Sequence, residues 1–141
     1  MLNFRDFEAG PDPFGRKFQV LFKWLQTAIS IRHADTVDVK FILMEKQDTT
    51  PAGGESPAAA GNAAPFAKTI ALPHANLLGI SRESHRPMDD PWCARLAMMH
   101  LRHLVETGED MEKDLVTVPP AELSRYATEL ARMEGQKSQA A

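Results

Sequence analysis

Eighteen consecutive residues near the middle of the chain, Asp48 to Pro65, contain no large hydrophobe. Six are Ala, three Gly and three Pro. Such a stretch cannot bury enough apolar surface to offset about 1–2 kcal/mol of backbone entropy per ordered residue, so it reads as a disordered loop, residues 48–65. The loop divides the sequence into two parts with different hydrophobic periods.

Before the loop the period is two. Val37, Val39, Phe41 and Leu43 share one face and Asp38 and Lys40 the other. Ile29 and Ile31 alternate in the same way, and His33 to Thr36 between the two runs suits a turn. A hairpin is expected here. Residues 17–26 fit two templates: Phe18, Val20, Phe22 and Trp24 alternate as in a strand, while Phe18, Leu21, Phe22, Leu25 and Ile29 form a helical stripe. Aromatic content favours the strand. A strand would carry its apolar face on even positions to Trp24 and on odd positions from Ile29, which calls for a bulge near residues 25–28.

After the loop, Phe66 to Leu72 reads as another strand, ended by Pro73, with a short helix over 75–84 stopping before Arg86-Pro87. The next helix has the clearest punctuation: Asp90 as N-cap, Pro91 at its first position and Gly108 just past its end. It is about 25 Å long, and only Arg95, Arg102 and Glu106 make a polar face. A last helix over 120–134 places Leu123, Tyr126, Ala127 and Leu130 inward, and the tail, residues 135–141, should fray. The order strands, loop, strand, helices predicts an α+β fold: one domain over 1–141, a small, mainly antiparallel sheet from the N-terminal half packed against about three C-terminal helices.

Charge narrows the function classes. The 141 residues carry a net charge of −3, all of it from the second half, where Glu106, Glu109, Asp110, Glu112 and Asp114 cluster around Lys113. The densest basic group, Arg82, His85 and Arg86, is interrupted by Glu83, too little for a nucleic-acid surface. No apolar run approaches the length of a membrane span, and the opening MLNFRDFEAGPDP has acids and prolines where a secretory signal would be basic and apolar. A cytoplasmic protein with no nucleic-acid or membrane partner is the expectation.

Motifs for chemistry are sparse. Cys93 is the sole cysteine, and no glycine-rich phosphate loop or other cofactor motif stands between a strand and a helix. His100 and His103 lie three apart on the central helix, but zinc signatures use i,i+4 spacing, and Glu106 falls on another face. Cys93 near the helix start could be a nucleophile, yet His100 is about 10.5 Å along the axis from it. The acidic cluster lacks the internal glycine of a calcium loop and reads as a solvated face. No catalytic residue, metal ligand or cofactor is assigned. The alternative is a small metal-binding protein or enzyme using His100, His103 or Cys93.

Seven of the ten aromatics lie in the first 41 residues. Phe4, Phe7 and Phe14 sit on an arm, residues 1–16, with two prolines and two glycines. They either fold back over the sheet or dock on another chain. The leading expectation is therefore a non-enzymatic binding or assembly protein, an adaptor or small subunit of a complex. Its partner is another protein or a second copy: a homodimer through a sheet edge, with Phe4, Phe7 and Phe14 as partner-binding residues.

Overall fold

The computed structural model describes residues 3–28, 36–46, 65–110 and 112–140, the side chains of 28 and 134–140 excepted. Five strands form one sheet in the order β1-β2-β3-β4-β5: β1 Asp6–Ala9, β2 Phe18–Ala28, β3 Thr36–Glu45, β4 Phe66–Pro73 and β5 Leu115–Thr117. Three helices complete the fold: α1 His74–Ser84, α2 Asp90–Thr107 and α3 Pro120–Ala140. The architecture is α+β, with a mostly antiparallel sheet from the first half and the helices from the second.

The arm folds back. Asp6 to Ala9 pair with Phe18 to Leu21, and the alternation Asp6, Phe7, Glu8, Ala9 turns Phe7 and Ala9 inward. Asp12 drives the return: its buried carboxylate accepts from the backbone N–H groups of Phe14 and Arg16 at 2.9 and 2.8 Å and from Arg16 Nε at 2.7 Å. Burial alone would raise the Asp12 pKa; these donors from Arg16 and Phe14 outweigh it and hold the carboxyl below its usual range.

Of residues 17–26, all from Phe18 on belong to a strand, and β2 carries the bulge its apolar phase requires. The bulge sits at Lys23, earlier than residues 25–28: Phe22 pairs with Phe41 and Trp24 with Lys40, so Lys23 is the extra residue. Phe18, Val20 and Phe22 face the core before it and Leu25 after it. β2 and β3 are antiparallel neighbours out to Ala28 and Thr36, while the expected turn and Ile29 and Ile31 lie outside the described residues. So does nearly all of the Ala/Gly/Pro-rich segment.

Two helix boundaries differ from expectation. The N-cap of α2 is Asp89, not Asp90: its side chain accepts from the Trp92 N–H at 3.0 Å, while the Cys93 N–H goes to the Asp89 carbonyl. Pro91 lacks the N–H that a shorter-reaching cap would need, so the bond falls to the third helical residue. Gly108 ends α2 at φ 76°, where its N–H reaches the Leu104 carbonyl at 2.8 Å. α3 continues past Gly135 to Ala140. Its inward residues are Leu123, Tyr126, Ala127 and Leu130, as the sequence pattern requires.

One strand is unexpected. β5 pairs in parallel with β4, Val116 against Ile70, after a crossover through α1 and α2. Beside it lies a charge inside the core. Lys68 is only 1% exposed, on the inward face of β4, and its Nζ donates to the carbonyls of Asp110 and Lys113, each at 2.6 Å. Burial lowers the Lys68 pKa, opposed by Asp110, Glu112 and Asp114. The backbone of the acidic loop thus closes over a cation of its own chain, with the charges of Asp110, Glu112 and Asp114 nearby.

Candidate functional site

The histidines stand where α2 meets α3. His100 is 4% exposed, and its Nδ1 lies 2.9 Å from the Tyr126 hydroxyl. Burial, with the neighbouring His103 charge, lowers the His100 pKa to about 4, so the ring is neutral at pH 7. Burial raises Tyr126 to about 12, reinforced by Glu122. The pair is a neutral hydrogen bond between core side chains. His103 stacks on His100 with ring centres 6.2 Å apart and reaches the rim, its Nε2 3.6 Å from Glu109 Oε1. Among the described residues, no group of three or more His, Cys, Asp or Glu side chains is placed to hold a metal ion.

Cys93 is buried near the start of α2. Burial, followed by the carboxylates of Asp90 and Asp89, raises its pKa to about 12. A thiol in that state is a poor nucleophile at neutral pH.

Between α2 and α3 opens a groove of about 400 Å³. Met99 and Met133 give it apolar walls, with Arg102 and His103 from α2 and Arg125 and Tyr126 from α3. Its charges are balanced: Glu106 and Glu129 also line it, Arg125 pairs with Glu122, and Arg132 pairs with Glu129. The Nε atom of Arg102 is buried with no hydrogen-bond partner among the described residues.

The three arm aromatics part ways. Phe4 packs edge-on against Phe22 at 5.3 Å and Phe7 against Phe41 at 5.7 Å, and both are buried in the chain's own core. Phe14 is 82% exposed at the turn between β1 and β2.

A second surface escaped the sequence reading. The sheet has two faces, and the helices take only one. Val37, Val39, Phe41 and Leu43 of β3 are buried beneath them, whereas Asp38, Lys40, Ile42 and Met44 on the outer face are half-exposed. The register brings Leu21, Ile42 and Ala67 into one cross-strand row, and Trp24, Lys40, Thr69 and Leu115 into the next. Lys40 Nζ stands 5.7 Å from the centre of the Trp24 ring, and Leu115 is 56% exposed. Each outer-face residue looks ordinary in sequence; only the strand order assembles them into a patch.

No protein family model, no curated protein and no solved structure matches the chain. Among the described residues, no helix is long and apolar enough to cross a membrane.

Proposed function

We propose that this chain is a non-enzymatic cytoplasmic binding or assembly protein, an adaptor or a small subunit of a complex. The observation that carries this reading is the outer sheet face, where Leu21, Trp24, Ile42, Met44 and Leu115 meet solvent on a rigid, hydrogen-bonded platform. Leu21 and Ile42 are direct cross-strand neighbours, and exposed apolar patches mark interaction sites. The groups best suited to chemistry are spent on the fold instead: the Cys93 thiol is held protonated, and the His100 ring is held neutral against Tyr126.

The test is to purify the full chain from its native host and measure the mass of the particle and its metal content. A stoichiometric assembly heavier than the 15.6 kDa chain, without bound metal, is expected. Stoichiometric zinc or iron that disappears in His100→Ala overturns the reading in favour of a metal protein using His100 and His103.

A further inference from the structure

We infer that the outer face of the sheet is the contact surface of a two-fold homodimer, sheet against sheet, with each β3 lying antiparallel over its copy. This rests on the assembly reading above and names the partner: a second copy of this chain. The arm that could have crossed to another molecule is used up inside its own, since β1 pairs with β2 and Phe7 enters the core. Both sheet edges end in very short strands, four residues in β1 and three in β5, which gives little backbone for strand-to-strand pairing. The face is the larger surface. Five strands about 4.8 Å apart, three of them eight residues or longer, span a footprint of about 500 Å² before side-chain relief is counted. That is within reach of the roughly 800 Å² per partner of a stable interface.

Charge placement favours a copy over an unlike partner. β3 is the middle strand, and its outer face carries Asp38 and Lys40 two residues apart, one of each sign. A two-fold axis between the sheets, perpendicular to β3 at Val39, places Asp38 of one copy over Lys40 of the other, twice. Asp38 accepts a hydrogen bond from Thr36 Oγ1 at 2.8 Å on one oxygen, and among the described residues its second oxygen is left for that contact. Leu21, Trp24 and Ile42 then lie between the two sheets, in the rows that face Ala28, Gln26 and Thr36 of the copy. An isologous interface must be self-complementary, and the Asp38 and Lys40 pair at its centre is.

Sedimentation equilibrium of the full chain and four variants, from 1 to 200 µM, tests the inference, with circular dichroism and thermal unfolding confirming that each variant folds. The wild type should reach twice the chain mass. Asp38→Lys and Lys40→Asp should each weaken the dimer at least tenfold, the double exchange Asp38→Lys/Lys40→Asp should restore it to within about threefold, and Ile42→Lys should abolish it. A merely structural role for these residues would show no rescue in the double exchange. A dimer indifferent to all four variants overturns this interface but leaves an assembly role through another surface. A folded chain that stays monomeric at 200 µM overturns the homodimer outright, and the native-host purification then decides the broader reading.

Discussion

Lys68→Met removes the one buried ammonium among the described residues while keeping most of its aliphatic length. The Asp110 and Lys113 carbonyls each lose a 2.6 Å bond from a charged donor. Such bonds contribute about 1.5–3 kcal/mol apiece, and the desolvation of the ammonium offsets part of the sum, so a net loss of about 3 kcal/mol is expected. For a chain of this length the unfolding entropy is about 0.3 kcal/mol/K, which converts the loss to about 10 °C in Tm. The damage should be local first. Residues 108–114 lead into β5, which is anchored to β4 by Thr69 N–H to the Asp114 carbonyl at 2.7 Å and Val118 N–H to the Ala71 carbonyl at 2.9 Å. Calorimetry gives the Tm, and amide exchange should show faster opening of 108–118 than of β2 and β3. Replacing a buried ion by an apolar side chain is sometimes stabilising. A Tm unchanged or raised in Lys68→Met would refute the claim that this ammonium holds the acidic loop.

The pH dependence follows from His100, whose folded pKa of about 4 lies below the unfolded 6.5, so the unfolded chain binds the extra proton between those values. Its contribution is complete above pH 6.5 and is lost as pH falls toward 4, about 2 kcal/mol between pH 7 and 4.5; urea unfolding at the two pH values should show that part of the loss abolished in His100→Gln. Cys93, with its pKa near 12, should resist iodoacetamide at pH 7.5 in the native state and react once urea unfolds the chain. Phe7→Ala should cost about 3–5 kcal/mol in chemical denaturation and Phe14→Ala less than about 0.5, since one ring fills the core and the other meets solvent.

Local periodicity made most of the fold legible. The apolar alternation of Val37 to Leu43 and the helical spacing of Leu123, Tyr126, Ala127 and Leu130 each mark the buried face that the structure shows. The same rule, carried through Phe66, Ile70 and Leu72, puts Lys68 inward. The phase change in β2 announced a bulge, but only pairing with β3 could place it at Lys23. β5 was illegible because three residues with one buried side chain carry no period, and its partner lies more than forty residues earlier. The outer face was hidden for a similar reason. Leu21, Ile42 and Ala67 become neighbours through strand register, which depends on long-range contacts.

Trp24 makes the interface directly visible. The chain has two tryptophans: Trp92 is buried in the core, and Trp24 stands half-exposed on the outer face beside Lys40. Iodide quenching of the full chain therefore reads the accessibility of Trp24 over a constant background from Trp92. A dimer through the outer sheet face predicts strong quenching at 1 µM that falls steeply by 200 µM, along the same curve as the rise in mass. Quenching that stays constant while the mass doubles would contradict it, because Trp24 would then lie outside the contact.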